Sequence, residues 1–491
     1  MKTTEKRSNY QVTFGVLAIG VLAFSLLQSL VIPVLPTLET ALDTTQTNVT
    51  WVLTAYLLSA SIFTPIVGRL GDMRGKKRMF VFALLALALG TLIAALATSF
   101  MVMVIGRVIQ GVGGGLIPLA FGIIRDEFPG EKVPGAVGII AALTAVGAGV
   151  GTVLGGPIVD ALNYHWLFWF PLVLTLVAAI GAFFYVPESE VRTQGKINWL
   201  AATLLAAWLV ALLLAVSKSS SWGWGSPKVL SLFAVAVVTA FLWILVETKS
   251  LNPLIDMKMM RVRAVWTTNL VAFLFGMAMY STFAFLPAMI QTPSSAGYGF
   301  SASITESGFM LLPSSITMFV MGMLTGRMAE RFGSKRILIV GSLITMSALA
   351  TFAFAHDSKW ELYLASAVFG VGFGMAFAAI SNLIVAAVPP EQTGVASGMN
   401  ANIRTIGGSI GAALMASVVA VGVLPGALPE ESGYTNGFLL MTVAIGASVL
   451  VALFIPAIVR SKATHHEPHV ELRHPEMAAV AGGTLVGDEP E

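Results

Sequence analysis

Apolar residues are gathered into fourteen long runs along the chain, separated by short polar segments. Each run is about 20 residues long, the length that an α-helix needs to cross a hydrocarbon core of about 30 Å. The pattern therefore predicts an all-α membrane protein with fourteen transmembrane helices. The predicted runs are 13–35, 50–67, 79–98, 101–124, 135–159, 166–187, 197–216, 229–247, 265–288, 304–326, 337–355, 361–387, 394–422 and 437–459.

The composition agrees with a chain whose surface faces lipid. The 491 residues are 56% hydrophobic and 11% charged, whereas soluble domains are about 25% charged. The chain has no cysteine, which excludes disulfides, thiolate metal sites and cysteine nucleophiles. It has no phosphate-binding loop of the kind that ATP-driven pumps use, and no cluster of His, Asp or Glu deep in a run. We therefore expect no enzyme activity, metal, cofactor or nucleic-acid partner.

The distribution of Lys and Arg predicts the orientation of the chain. Of the 28 such residues, 23 fall in the two terminal segments and in every second loop. Lys218, Lys228 and Lys359 fall in the other loops, and Arg107 and Arg404 lie within runs. Because cytoplasmic segments are enriched in Lys and Arg, we expect a multi-pass protein of the cell membrane with both termini in the cytoplasm. The first run is too long for a signal peptide and is expected to be retained.

Two charged segments recur at a fixed distance along the chain. GRLGDMRGKKR at 68–78 matches GRMAERFGSKR at 326–336, with Glu330 where the first copy has Asp72. Each segment is expected to form a cytoplasmic turn, between helices 2 and 3 and between helices 10 and 11. Equivalent turns eight helices apart predict two six-helix bundles with two helices inserted between them. Such repeats suit alternating access around a site at the middle of the membrane.

The repeat predicts four regions. They are an N-terminal six-helix bundle at 1–191, two inserted helices at 192–255, a C-terminal six-helix bundle at 256–460 and a cytoplasmic tail at 461–491. The tail contains several His residues, but its composition favours a disordered, solvated segment over a metal site.

Four short motifs lie in or beside the predicted helices. They are Gly68-x-Leu70-x-Asp72-x-x-Gly75-Lys76-Lys77, Arg107-x-x-Gln110-Gly111, the glycine-rich stretch 138–156 and WVLTAY at 51–56. The first resembles the signature loop of the major facilitator superfamily, the second its helix-4 motif and the third its helix-5 antiporter motif. Over about residues 10–460 the chain thus resembles the fourteen-helix drug:proton antiporters of that superfamily.

The resemblance implies a conformational latch on the cytoplasmic side. In the family the acid that matches Asp72 reaches the start of the helix that matches helix 13, near Gly394, and holds that side closed. The residues themselves place Asp72 near the start of helix 3, where the free N–H groups and the helix dipole stabilise a carboxylate. A topology signal with an ordinary helix cap is the alternative interpretation. The residues assigned to the latch are Gly68, Asp72, Arg74, Gly75 and Glu330.

Proton coupling is expected around Arg107 in helix 4. A buried Arg is costly in a membrane and usually faces a partner or a cavity, and Gln28 and Gln110 are expected to satisfy it. The matching Arg of the family is tied to coupling; a clamp between helices is the alternative. Many relatives carry an Asp in helix 1 where this chain has Leu27, so the proton carrier is not identified. The residues assigned to coupling are Arg107, Gln110, Asp126 and Glu306, the last of which is otherwise a loop or cap residue.

Helix 5 is rich in small residues. Small side chains let helix backbones approach closely, and the resemblance adds a bendable, leak-proof interface between the two bundles. The family normally has Pro where this chain has Thr152, which puts the usual kink in doubt, although Pro157 can bend the outer end. The residues assigned to this motif are Gly147, Gly151, Thr152, Gly155, Gly156 and Pro157.

A substrate cavity is expected between the bundles. Aromatic side chains of the central helices suit an amphiphilic ligand, although most aromatic residues of a membrane protein face lipid or core. Arg404, about 15 Å into helix 13, either braces the second bundle or binds an anion. The candidates for the cavity are Gln28, Trp51, Tyr56, Tyr280, Phe283, Phe309 and Arg404.

Together these features predict a proton-coupled secondary active exporter of amphiphilic organic compounds, acting in multidrug efflux by alternating access. Its partners are the amphiphile, protons and the lipid bilayer, and we expect a monomer. An exporter of a specific lipid or endogenous metabolite is one alternative; a non-transporting membrane sensor or scaffold is another. Because helix 1 lacks an acid at Leu27, we expect rigid dications to be disfavoured relative to neutral, monocationic or anionic amphiphiles.

Overall fold

The computed structural model of the chain is helical throughout its described part. It describes residues 10–456 except 45–48, 50, 190–197, 251, 252, 254 and 421–427. Within these described ranges fourteen long helices follow one another along the chain. They are α1 Tyr10–Ser29, α2 Trp51–Arg74, α3 Lys76–Ala95, α4 Phe100–Glu127, α5 Val133–Ala161, α6 Trp166–Tyr185, α7 Trp199–Trp222, α8 Pro227–Lys249, α9 Arg263–Gln291, α10 Ile304–Phe332, α11 Ser334–Phe354, α12 Lys359–Ala386, α13 Thr393–Val419 and α14 Glu431–Leu453.

Thirteen of these helices are long and apolar enough to cross a membrane. The fourteenth, α13, has 27 residues, but its first half is rich in Gly, Ser, Thr and Asn. Those small and polar side chains suit a helix that faces protein rather than lipid. The predicted fold class, an all-α membrane protein with fourteen transmembrane helices, is confirmed.

Two of the helices are locally irregular. The Gly-rich stretch Gly111–Gly115 forms a 3-10 segment in the middle of α4, between Phe100–Gln110 and Leu116–Glu127. After α1, a 3-10 turn at Ile32–Val34 leads into a short helix at Leu35–Ala41, and prolines occupy the start of each. Proline fits the first helical turn because the N–H that it lacks has no partner there.

The predicted turn at 68–78 is shorter than expected. Helix α2 continues through Arg74, and α3 begins at Lys76. Gly75 alone makes the turn, with a φ of +112° that glycine tolerates and other residues avoid. The charges do not break the helix, because they lie at its end, where side chains can leave the hydrocarbon. Asp72 therefore lies in the last turn of α2, and the prediction that it caps α3 was wrong.

Helices α1–α6 and α9–α14 form two six-helix bundles, and α7 and α8 are inserted between them in the chain. The bundles meet where α5 packs against α10 and α12, and where α13 packs against α2 and α4. Helix α7 packs against both α2 and α13. Helix α8 is the most exposed of the thirteen apolar helices: 17% of the residues in its most apolar segment are buried, against 89% for α12. In a membrane protein this places α12 in the interior and α8 against lipid.

The predicted domain boundaries stay predictions. The tail at 461–491 lies outside the described residues.

We call the end of the molecule that contains Asp72 and Gly75 the Asp72 end. The other end contains the start of α10 with Glu306 and the start of α12 with Lys359, and we call it the Glu306 end.

Candidate functional site

A cavity lies between the two bundles, near the middle of the long helices. Its empty volume is about 920 Å³, including open solvent at its mouth. The lining comes from α1, α2, α4, α5, α9, α12 and α13. Among the residues singled out from the sequence, the structure places Gln28, Tyr56, Thr152, Tyr280, Phe283 and Arg404 in this lining. The lining residues that sequence reasoning missed include Phe24, Ile32, Ser61, Met279, Phe377 and Asn402.

Two predicted aromatic residues lie elsewhere. The ring of Trp51 faces the ammonium of Lys218 on α7, 5.7 Å from the ring centre. Phe309 is 49% exposed on α10. Neither belongs to the lining of this cavity in the conformation described here.

One cation stands out in the cavity wall. Among the described residues that line it, Arg404 is the one charged side chain. Its guanidinium lies over the ring of Phe377, 4.5 Å from the ring centre. The amide of Gln28 on α1 donates to the hydroxyl of Tyr280 on α9 over 3.2 Å, which links the two bundles. The cavity thus combines an aromatic wall with one positive charge.

The Asp72 end is closed by contacts between the bundles. The carboxylate of Asp72 accepts a hydrogen bond from the backbone N–H of Val395, 3.2 Å away at the start of α13. Asp72 is fully buried, as is Lys76, which lies 3.8 Å from Asp72 and 2.6 Å from Asp126. A carboxylate at the N-terminal end of a helix interacts favourably with its free N–H groups and dipole. The contact therefore joins α2 of one bundle to α13 of the other.

Three further hydrogen bonds cross between the bundles, two at the Asp72 end and one deeper, beside the cavity. Arg125, near the end of α4, donates to the hydroxyl of Thr393 over 2.8 Å and also to the carbonyl of Val385. Asn402 donates to the carbonyl of Ser61 over 2.6 Å. Sequence reasoning missed these residues. Arg125 resembled one more cytoplasmic positive charge, whereas Asn402 was signalled by its polarity within an apolar helix.

Close backbone approach accompanies these bonds. A methyl group on Gly68 would lie 2.8 Å from the carbonyl oxygen of Gly394, so both positions need glycine to let α2 and α13 meet. The other residues assigned to the latch lie outside this contact. Arg74 is exposed at the end of α2, and Glu330, the counterpart of Asp72 in the repeat, is exposed on α10. The described part of the chain gives Glu330 no hydrogen bond or ion pair, so the Asp72 contact has no equivalent there.

Arg107 is buried in a network of neutral acceptors. Its Nε donates to the carbonyl of Val52 over 2.8 Å, and its Nη1 donates to the carbonyl of Leu27 and to Oε1 of Gln110 over 3.1 and 2.8 Å. The guanidinium lies 4.4 Å from the ring centre of Tyr56. Among the described residues no carboxylate pairs with Arg107. The expected bond from Gln110 is present, whereas Gln28 bonds to the second bundle instead.

The glycines of α5 face two different helices. Gly147, Gly151 and Gly155 pack against α1 of the same bundle, where methyl groups at these positions would lie 2.0–2.5 Å from α1 atoms. Gly156 is buried, and Pro157 is part-buried inside the continuous helix. The Thr152 hydroxyl donates to the carbonyl of Ala148 over 3.0 Å. The stripe 147/151/155 is therefore a contact within one bundle rather than between bundles.

The interface between the bundles is formed by other small residues. On α5 they are Gly135, Gly138, Ala142 and Gly149, and on α10 they are Ser315, Gly322 and Gly326. A methyl group on Gly322 would lie 2.1 Å from Cβ of Ala142, and one on Gly149 would lie 1.8 Å from Oγ of Ser315. Both helices are continuous through this region, so the seam follows much of their length.

The two acids assigned to proton coupling lie at opposite ends. Asp126 is buried at the Asp72 end, where it binds Lys76 and accepts a hydrogen bond from Ser189. Glu306 pairs with Lys359 at 2.5 Å, with its side chain 40% exposed at the Glu306 end. Neither acid lines the cavity.

Two helix bundles around one central cavity, closed at one end, define a multi-pass membrane transporter of small molecules. Comparison with known families gives a profile match to the Major Facilitator Superfamily over residues 17–412. The chain belongs to the Major Facilitator Superfamily.

Similar proteins include named resistance transporters. The chain is 29% identical over 377 residues to the multidrug transporter protein MdtP of Bacillus subtilis, covering 75% of this chain and 68% of that protein. It is 30% identical to multidrug resistance protein 3 of the same organism, covering 75% and 72%. It is 27% identical over 428 residues to the lincomycin resistance protein LmrB of Listeria monocytogenes, covering 84% and 90%.

Among solved structures, the human organic anion transporter MFSD10 (TETRAN) superposes with a TM-score of 0.64 at 18% identity. The match covers 90% of this chain and 99% of that chain. At this identity the likeness shows the fold.

Proposed function

We propose that the protein is a proton-coupled secondary active exporter of amphiphilic organic compounds, and that it acts in multidrug efflux. The observation that carries the proposal is the central cavity, which is lined by aromatic and aliphatic side chains and closed at one end by bonds between the bundles. Such a cavity suits ligands that are partly apolar and held by a few polar groups. The names of the similar proteins, which are multidrug and lincomycin resistance transporters, support the same class of cargo.

Transport would proceed by alternating access. In the described conformation the bundles are bonded to each other at the Asp72 end, and we propose that the cavity opens toward the Glu306 end. Rocking of the bundles along the α5–α10 seam would break the Asp72–Val395 contact and expose the cavity at the Asp72 end. The predicted regions 1–191 and 256–460 are the two bodies that we propose to move, with 192–255 as the insertion. Within the insertion, α7 packs against both α2 and α13, one helix of each bundle.

The Asp72 end is proposed to face the cytoplasm of a cell whose plasma membrane holds the protein as a monomer. The concentration of Lys and Arg at this end supports the orientation. Export then loads the cargo while the Asp72 end is open and releases it while that end is closed, as in the described conformation.

Inward movement of protons would drive export, and Arg107 is the proposed link to coupling. Its fixed charge lies behind Tyr56, whose ring forms part of the cavity wall. A charge that is held by neutral acceptors can respond to the charge of a cargo or a proton nearby, because little else screens it in a low-dielectric interior. Asp72 and Asp126 are buried acids at the closed end, and Glu306 is a part-exposed acid at the other.

Transport by the purified protein in proteoliposomes with an imposed pH gradient tests the proposal. Cationic, neutral and anionic amphiphiles are offered in turn, and uptake is compared with and without the gradient and with protein-free vesicles. Gradient-driven uptake of several unrelated amphiphiles supports multidrug export. Uptake of one lipid or metabolite alone would favour a dedicated exporter, and binding with no uptake of any compound would favour a sensor or scaffold.

A further inference from the structure

Among the described residues of the cavity wall, Arg404 is a charged hydrogen-bond donor with no acceptor. Arg404 carries five N–H donors in a planar fork. In the described structure they make no hydrogen bond or ion pair, and their one contact of note is with the ring of Phe377, 4.5 Å from its centre. Arg404 lies eleven residues into α13, about 16 Å from its start. This depth is near the middle of the helix, far from either end.

The surroundings of Arg404 contain no compensating negative charge. Among the described residues that line the cavity none is Asp or Glu. A cation over an aromatic face gains some stabilisation, but a membrane-buried cation usually has a polar partner as well. A bracing role would require acceptors from neighbouring helices, as Arg107 has in the first bundle. Arg404 has none, so its fork remains available to a ligand.

Five hydroxyl groups of the cavity wall have already used their protons. Each donates to the carbonyl four residues earlier in its own helix, and Ser29 also donates to the carbonyl of Gly147 on α5. They belong to Ser29, Thr64, Thr144, Thr152 and Thr405. One N–H of the Asn402 amide donates to the carbonyl of Ser61. The buried hydroxyl of Tyr56 has no partner among the described residues, so neutral donors remain in the wall, but Arg404 is the one charged donor among its described residues.

Tyr280 supplies a neutral donor near Arg404. Its oxygen accepts from Gln28, so its own proton remains to be donated. The ring lies against α13 where Gly408 leaves room for it, since a methyl group on Gly408 would lie 2.3 Å from the Tyr280 ring. Gly408 is one helical turn beyond Arg404 on the same helix. The packing therefore holds Tyr280 beside the cationic part of the cavity.

We propose that Arg404 and Tyr280 form an anion-binding subsite, and that the preferred cargo is an amphiphile with a carboxylate or sulfonate group. The anionic group would bind the Arg404 fork and the Tyr280 hydroxyl, while the apolar part would lie against Phe24, Phe283 and Phe377. Arg fits such groups because its fork matches their paired oxygens. This inference rests on the proposed export function, because it assigns the charge of the compound that this same cavity carries.

Three ligands with one ring system separate charge from shape. They are 1-pyrenebutyrate, its neutral amide 1-pyrenebutanamide, and the cationic 1-pyrenebutyltrimethylammonium. Binding to the purified full-length protein in nanodiscs is measured by fluorescence, with empty nanodiscs as the correction for partitioning into lipid. Binding is measured without a pH gradient, so its outcome does not depend on whether the protein transports. A failure of export with charge-selective binding would refute the proposed function and leave the subsite in place.

We expect the anion to bind about tenfold or more tighter than the amide, and the cation weakest, because a hydrogen-bonded charge pair is much stronger than a neutral contact. Arg404→Gln should remove this preference while changing amide binding less than about twofold. Arg404→Lys should keep part of it, and Tyr280→Phe should reduce it by several-fold. Arg331→Gln is the matched control, because Arg331 also lies over a phenylalanine ring but is exposed at the end of α10.

Two results would overturn the subsite. One is an equal loss of all three ligands in Arg404→Gln that keeps its melting temperature, which would mean that Arg404 only shapes the cavity. The other is tightest binding of the cation by the unmodified protein. If Arg404→Gln does not fold, Tyr280→Phe decides, since it removes one hydroxyl and keeps the ring; unchanged anion preference in that variant would also contradict the assignment.

Discussion

The carboxylate of Asp72 lies 3.2 Å from the backbone N–H of Val395, and the bond joins the end of α2 to the start of α13 across the two bundles. Both partners are buried. The bond therefore exists only while the Asp72 end is closed, and its strength contributes directly to the free-energy difference between the closed and open states. A buried bond to a charged group contributes about 1.5–3 kcal/mol, enough to change a two-state ratio at least tenfold.

Asp72→Asn should shift the protein toward the state that is open at the Asp72 end and should cripple export, while leaving the protein inserted in the membrane. Asparagine keeps the shape but loses the charge at the helix start. Because the chain has no cysteine, spin labels can be attached at Glu131→Cys and Arg331→Cys, two exposed positions at this end in different bundles. The electron–electron distance distribution between the two labels should gain a longer component. The ratio of the open to the closed population should rise about tenfold relative to the parent.

The matched control for Asp72 is Glu188→Gln. Glu188 is an acid at the same end, but it accepts from the backbone of Lys77 and pairs with Arg78, so its contacts stay within one bundle. It should leave the distances and transport nearly unchanged. Full transport with an unaltered distance distribution in Asp72→Asn would show that the contact is a cap and not a latch.

The seam between α5 and α10 gives a second prediction. Gly322→Leu would place a side chain where even a methyl group lies 2.1 Å from Ala142. Overpacking of this kind costs about 1–3 kcal/mol, so the melting temperature should fall. The distances between spin labels on the two bundles should also increase. Gly15→Ala is the control, a helical glycine with nothing within 4 Å of the added methyl group. If Gly322→Leu matches that control in stability and distances, the seam is looser than its spacing indicates.

These contacts show where sequence reasoning reaches its limit. The helices were predictable because each span must satisfy its own backbone hydrogen bonds in lipid, which leaves long apolar runs in the sequence. The partner of each face was not. Both faces of α5 carry small residues, and periodicity alone does not tell which of Gly147 and Gly149 meets α1 and which meets α10. Likewise the charges at 68–78 predicted a long turn. In the sequence, charges in the last turn of a helix cannot be told from charges in a loop.

The cavity was predictable only in part, because the sequence does not tell which helix faces meet. Tyr280, Phe377 and Arg404 come from three helices, and no local pattern tells that they meet. Arg404 itself was visible as a charge within an apolar run, and its two possible roles were clear from the sequence. Its lack of acceptors depends on which side chains of other helices pack around it, and it became visible only with the packing.

Arg107→Ala should lose proton-coupled transport and some stability, because the hydrogen bonds of Arg107 to three helices would be lost. Arg107→Lys should regain part of the stability but little of the coupling, since Lys lacks the planar fork that reaches Val52, Leu27 and Gln110 together. Substrate-induced proton release from proteoliposomes, recorded with a pH dye, measures coupling. Substrate binding should weaken less than coupling. Normal proton release in Arg107→Ala would leave this residue a structural clamp.

The orientation can be tested with single cysteines at the two ends. Glu131 is exposed at the Asp72 end and Ser99 is exposed in the loop between α3 and α4 at the Glu306 end. In intact cells a membrane-impermeant maleimide should label Ser99→Cys and spare Glu131→Cys, and lysis should make both reactive. The positive-inside distribution is the reason for this expectation. The reverse labelling pattern would invert the direction of export that we propose.

The last prediction concerns Glu306 and doubly charged cations. Glu306 pairs with Lys359 at 2.5 Å, and both side chains are about half exposed. Such pairs contribute about 0–1 kcal/mol, and this one lies outside the described cavity lining. Glu306→Gln should therefore change transport, ligand affinity and melting temperature little, by less than about twofold in any dissociation constant. Lys359→Gln, which removes the other half of the pair, should behave alike.

Rigid dications should compete poorly against a fluorescent substrate of the purified protein, whether or not Glu306 is present. A dication would bring two charges into a cavity whose described lining offers one cation and no carboxylate, and an unpaired buried charge is heavily penalised. Competition is measured with a dication and a monocation of similar apolar surface. Tight dication binding that disappears in Glu306→Gln would refute both expectations. It would mean that α10 carries this acid into the cavity in another conformation, and it would identify Glu306 as the missing carboxylate.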